Sequence, residues 1–276
     1  MRYEKISQEE GKELTDIINA HPTGLHPCAI FLVSTDQTTE SNIDHRKLEE
    51  NGNVDDFVDF MVPALQNHHI SAAALERRRD LLESLGIHNA TLSSPYPLTD
   101  KTRKGNFAEI FLAEYLQLTT DARLPVYRLR YNPNVEQSMK GDDVLLFDLD
   151  SNPVRIIVGE AKFRGAPSRQ AVIDTINGLV RSNRAGLPVS LMFVADRLFE
   201  EGLSEIGARV NQCAALMATN NLRIDYVGLL MSNRNAGDYV NNHATNELHN
   251  LLMISLGTQS PESIVEQAFG RLEGAV

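Results

Sequence analysis

Glu160, Ala161 and Lys162 close an apolar run, Val154 to Val158, and a second short run, Val144 to Phe147, opens on Gly141-Asp142-Asp143. Successive side chains of a strand point to opposite faces, so Glu160 and Lys162 share one face. A neighbouring strand can bring Asp143 alongside them. Two carboxylates and one ammonium on a common face suit a hydrolytic Mg²⁺ site. The carboxylate oxygens hold the hard cation, and the lysine orients an attacking water or offsets developing negative charge. Asp142 is the alternative to Asp143, because a slip of one residue would exchange their faces. The near-continuous run Ile156-Ile157-Val158 is that of an interior strand, and charges that finish such a strand need partners.

The elements that must position these groups follow from pattern and punctuation. A helix is predicted over Lys101 to Leu118, where Phe107, Ile110, Phe111 and Glu114 have helical spacing and Glu109 lies at the edge of that face. Strands are predicted near Val126–Tyr131, Asp143–Asp148 and Val154–Lys162, then a helix over Ser168–Arg181 and a strand over Val189–Ala195. Helices near Phe199–Ala218 and Asn246–Ile254 flank a strand at Tyr226–Met231, and Ser260-Pro261-Glu262 opens a last helix. Alternation of this kind argues for an α/β fold with a mixed central sheet covered by helices.

Upstream, Ser7-Gln8-Glu9-Glu10 has capping-box spacing for a helix to about Ala20. Cys28–Ser34 reads as a strand, Asp36–Asn53 as a polar loop, and Val54–Met61 and Ser71–Leu85 as amphipathic helix. The Pro95/Pro97 segment is the best boundary. The expected division is a mostly helical region 1–98, partner-binding or regulatory, and a catalytic domain 99–276.

A chain of 276 residues, 42% hydrophobic, can bury a substantial core. It has no apolar run long enough for a membrane span, no signal-peptide pattern and only the isolated Cys28 and Cys213, so a cytoplasmic protein with reduced thiols is expected. The net charge of -11 is unevenly spread. Residues 1–70 carry 5 basic and 13 acidic side chains, whereas residues 101–190 carry 13 basic and 10 acidic ones. The segment with the chemistry is locally basic, which keeps a polyanionic substrate in play. Gly-rich phosphate loops and Ser/His/Asp arrangements are absent, so ATP hydrolysis and acyl transfer have no support.

The order of elements and the local motifs resemble the PD-(D/E)XK nuclease superfamily over about residues 101–195. Gly141-Asp142-Asp143 resembles its first acidic position, with the Gly-X-Asp pattern selecting Asp143, although the proline of the family's name is missing. Glu160-Ala161-Lys162 resembles its (D/E)-X-K element, and Glu109 the glutamate many members carry on the preceding helix. Gln170 resembles weakly a glutamine some members use. The resemblance implies a restriction-endonuclease-like core and Mg²⁺ (or Mn²⁺) held by Glu109, Asp143, Glu160 and the Ala161 carbonyl, with Lys162 positioning water for hydrolysis of DNA. Size and the acidic N-terminal part also make the chain similar to the HamA family, nuclease subunits of Hachiman antiphage systems, which implies a HamB-like helicase partner. The alternative is a catalytically inactive core that binds DNA or protein.

Lys101, Arg103, Lys104, Arg164 and Arg169 are candidates for backbone phosphate contacts. Arg77-Arg78-Arg79 reads as a solvated helix face. His21, His26, His68 and His69 have no metal-ligand spacing around them and read as surface or packing residues.

Overall fold

The computed structural model describes residues 17–24, 26–86, 94–182 and 186–273. A short helix α1 (Pro27–Phe31) leads into β1 (Leu32–Thr38), β2 (Asp44–Glu50), α2 (Val54–His69) and α3 (Ala72–Ser84). Helix α4 (Asp100–Thr119) and a 3₁₀ turn (Arg128–Tyr131) precede β3 (Val144–Asp148) and β4 (Val154–Phe163). Helices α5 (Arg169–Ser182), α6 (Leu191–Glu200) and α7 (Ser204–Ala218) follow, then β5 (Leu222–Ser232), α8 (Gly237–His243), β6 (Leu251–Gly257) and α9 (Pro261–Glu273).

The strands form one mixed sheet in the order β1-β2-β6-β5-β4-β3. Strands β2, β6, β5 and β4 are parallel, and β1 and β3 close the two edges antiparallel. Alternation divides β4 between two cores. Ile157 and Ala161 pack with α4, α2 and α9 on one face, and Ile156 and Val158 pack with α5, α6 and α7 on the other. An interior strand needs apolar residues on both faces, which is why Ile156–Val158 of β4 and Leu251–Ile254 of β6 read as continuous hydrophobic runs. The α/β class with a mixed sheet and flanking helices is the one expected.

Several elements differ from the pattern reading. Residues 32–50 supply two of the six strands, and the core on the α4 face joins residues from Ile17 to Leu272, so the position 98/99 lies within a continuous packed unit. The polar stretch read as a loop is largely β1 and β2. Its strand character was hidden because buried His45 and Arg46 are stabilised by polar partners rather than by apolar alternation. Pro27–Phe31 is a helical turn with His26 as its N-cap, its Nδ1 accepting from the Cys28 N–H at 3.2 Å. Val126–Tyr131 ends in a 3₁₀ turn. Val189–Ala195 leads into a helix, because Leu191, Val194, Ala195 and Leu198 have the spacing of one buried helical face. Asn246–Ile254 runs into β6, which is fully buried between β2 and β5. The helix expected from Ser7 lies mostly outside the described residues, and residues 17–20 are not helical. No described helix is long and apolar enough to cross a membrane.

Candidate active site

Strand β4 outruns its edge partner. The β3–β4 ladder ends at Val144 opposite Gly159, so residues 160–163 pair only with β5. Asp143 fills the step. Its Oδ2 accepts from the Ala161 N–H at 2.9 Å. In a strand the N–H and C=O of one residue point to the same edge, so the Ala161 carbonyl also faces the Asp143 side and is not spent on β5.

Glu160 and Lys162 share the α5 face and are paired Nζ to Oε1. Glu160 is 7% exposed, and burial followed by the Asp143 charge pushes its carboxyl up to about 7, against the opposing pull of Lys162 and Arg181. Room for Glu160 comes from α5: a Cβ on Gly178 would lie 2.5 Å from its Cδ and Oε1. Glu109 reaches the same place from α4, with 16% of its side chain exposed. Burial and then Asp143, with which it shares a hydrogen bond, raise its pKa well above the ordinary carboxylate range. Three carboxylates from α4, the start of β3 and the end of β4 thus act on one another at close quarters.

Asp142 goes elsewhere. It is fully buried, its Oδ2 accepts from the Ser190 N–H at 2.8 Å, and its own N–H donates to Ser190 Oγ at 2.9 Å. This reciprocal clasp ties the turn to the start of α6. Gly141 makes the clasp possible, since its φ is +115° and a Cβ would stand 2.4 Å from Ser190 Oγ. Arg128, buried in the 3₁₀ turn, donates Nη1 to the Asp142 carbonyl and places Nη2 4.0 Å from Glu109 Oε2.

The other candidates separate by position. Lys104 Nζ lies 5.8 Å from the Phe163 ring, next to the end of β4. Arg164 pairs with Asp174 at 3.3 Å, and Gln170 donates to that same carboxylate at 2.8 Å. Arg103 is held at the Pro97 carbonyl and over Phe269, while Lys101 and Arg169 are exposed. The histidines pack: His68 with Glu114 at 2.8 Å, His69 with the Leu65 carbonyl at 2.8 Å and Asn106 at 3.0 Å, and His21 with Tyr115 at 2.9 Å. Arg128, Gly178 and Arg181 were missed by sequence reasoning. No spacing links them to the acidic motifs, and each arrives from a separate element.

The donor set is all oxygen, which fits a hard divalent cation in chemical type. Among the described residues no three His, Cys, Asp or Glu groups are gathered tightly enough to enclose an ion, because Glu160 is turned onto Lys162 and Asp143 onto the Ala161 N–H.

Fold and site together define an α/β protein with a carboxylate–lysine centre at the carboxyl end of a mixed sheet. A family model described as HamA matches residues 27–272. The chain is also 35% identical to the Hachiman protein HamA of Bacillus cereus over 234 residues, covering 83% of this chain and 84% of that protein. The chain belongs to the HamA family.

Proposed function

We propose that this chain is a Mg²⁺-dependent nuclease that hydrolyses phosphodiester bonds in DNA as part of an antiphage defence system, together with a helicase subunit. The observation that carries the reading is the convergence of Glu109, Asp143 and Glu160, with Asp143 on the Ala161 N–H and Lys162 paired to Glu160. Like charges forced together under burial are costly to folding and are kept where chemistry needs them. Asp143, Glu160, the Ala161 carbonyl and Glu109 are the groups that would hold Mg²⁺ or Mn²⁺. The bound ion would supply Lewis acidity toward the phosphoryl oxygen and the leaving oxygen.

The residues themselves carry the rest of the work. Lys162 would turn its ammonium from the Glu160 carboxylate toward the attacking water and orient it. Asp143, fixed on the Ala161 N–H, holds the end of β4 in register with the turn. Lys104, near Phe163 at the end of β4, is the candidate for a substrate phosphate contact. Family membership supports the defence role and the helicase partner, and the locally basic segment 101–190 supports a nucleic-acid substrate.

The test is cleavage of linear and supercoiled DNA by the purified chain, alone and with its co-purifying protein, in Mg²⁺ and in chelator. Glu160→Gln and Lys162→Met are expected to fold and to lose cleavage by about a thousandfold or more, equivalent to about 4 kcal/mol of transition-state stabilisation. A folded Glu160→Gln protein that cuts at the wild-type rate refutes the reading.

A further inference from the structure

Arg128 is a buried cation whose bonding is incomplete. It is 8% exposed, and its Nη1 donates to the Asp142 carbonyl. Its Nε and Nη2 find no hydrogen-bond partner among the described residues. A guanidinium taken out of water costs several kcal/mol unless its donors are used, and buried structural arginines use them. Arg128 lines a cavity of about 20 Å³ with His68, Glu109, Leu129 and Asp143. That volume holds one water and no phosphate group.

The elements it spans are informative. One arm of the fork holds the turn Gly141–Asp143, and the other stands 4.0 Å from Glu109 on α4. These two elements carry two of the three carboxylates, and nothing covalent fixes their spacing. Gly141 leaves the approach open, since a Cβ there would come within 3.3 Å of Nη1.

We propose that Arg128 is the positioning residue of the carboxylate centre. Its rigid fork sets the distance between Glu109 and Asp143, and its charge allows the two carboxylates to stand together as ligands. This rests on the metal-site reading above. A lysine keeps the charge but replaces the planar fork with a point donor, so it cannot hold both elements at once.

The experiment is Mn²⁺ binding by the full-length chain, read by electron paramagnetic resonance, with DNA cleavage kinetics on the same preparations. Wild type, Arg128→Met, Arg128→Lys and Glu160→Gln are compared at a temperature where circular dichroism shows each to be folded. Groups behind a metal's ligands typically change affinity or activity about 10–100-fold when removed. Arg128→Met is expected to weaken Mn²⁺ binding and lower kcat within that range, with KM for DNA changed less than about twofold, and Arg128→Lys to fall between it and wild type. A role confined to packing would lower the melting temperature and leave the Mn²⁺ affinity of the folded protein unchanged. Should Arg128→Met fail to fold, Arg128→Lys decides alone, and wild-type affinity in it overturns the proposal. Mn²⁺ binding by wild type that is lost in Glu160→Gln and intact in both Arg128 variants overturns Arg128's role and leaves the metal site standing. No Mn²⁺ binding by wild type overturns both.

Discussion

Two buried polar regions of this sheet follow opposite rules. In the β1–β2 pair at one edge of the sheet, Arg46 is fully buried and saturated: Nε and Nη2 form a fork onto Asp36 at 2.8 Å each, and Nη1 donates to the Asn19 carbonyl at 2.9 Å and to Tyr115 Oη at 3.2 Å. His45 beside it bonds Ser255 at 2.8 Å and Gln37 at 2.9 Å. At the end of β4, three carboxylates repel one another, Arg128 has idle donors, and Asp142 Oδ1 has no partner among the described residues. The first region spends its polar groups on folding. The second holds carboxylates close together, the arrangement that the proposed metal site requires.

Substituting the two adjacent aspartates of the second region separates the two roles. Asp143→Asn is expected to reduce cleavage by about a thousandfold, roughly 4 kcal/mol in the barrier, with little change in melting temperature. Asp142→Ala reverses that order, since it strips the clasp on Ser190 and costs about 1–3 kcal/mol of stability. If Asp142→Ala proved the worse nuclease of the two in folded protein, the assignment of the metal-facing aspartate would be wrong by one residue.

Arg46→Met removes the fork onto Asp36 and the bonds to the Asn19 carbonyl and Tyr115, and is expected to cost about 3 kcal/mol in denaturant titration, because hydrogen bonds made by a charged group contribute about 1.5–3 kcal/mol. Its Mn²⁺ affinity, measured on folded protein, should match wild type. The same variant therefore tests whether saturation marks structure. A change in metal affinity larger than the change in stability would break the comparison.

His45 sharpens the comparison through pH. Burial pulls its imidazole down to about 4, with Lys47 adding to the effect, so it stays neutral in the folded protein. An unfolded histidine titrates near 6.5, so between pH 6.5 and 4 the unfolded chain binds the extra proton and stability falls as pH drops. His45 alone contributes about 2 kcal/mol to that decline by pH 5. Urea titrations at pH 7.5 and 5 should show it, and His45→Gln should lose less stability across the same interval. Equal losses would mean that His45 is protonated in the fold.

Gly178→Ala carries the smallest effect. Alanine improves helix propensity by about 1 kcal/mol, yet its Cβ would press on the Glu160 carboxylate. Cleavage should fall about tenfold, about 1.4 kcal/mol, in a protein no less stable than wild type. Unchanged cleavage would show that Glu160 can work from another rotamer.

Much of the site region was legible in sequence because strand alternation is local. Glu160 and Lys162 had to share a face once β4 was a strand, and the apolar run Ile156–Val158 made it one. The helix carrying Glu109 was legible from its spacing of Phe107, Ile110 and Phe111. What stayed hidden depends on partners distant in sequence. Strand β2 reads Asp-His-Arg-Lys-Leu-Glu-Glu and looks like a loop until Asp36, Tyr115 and Ser255 are brought to it. Arg128 and Gly178 mean nothing without the turn and the carboxylate they face. Short apolar runs such as Leu251–Leu256 and Leu191–Ala195 carry too little periodicity to separate helix from strand, and each was read as the other.

The most direct measurement for the central claim is anomalous diffraction at the manganese edge from crystals of the chain equilibrated with Mn²⁺. The expected result is a peak bounded by Asp143, Glu160 and the Ala161 carbonyl, with Glu160 released from Lys162. A well-ordered site at saturating Mn²⁺ with no peak there, and Glu160 still on Lys162, would contradict it.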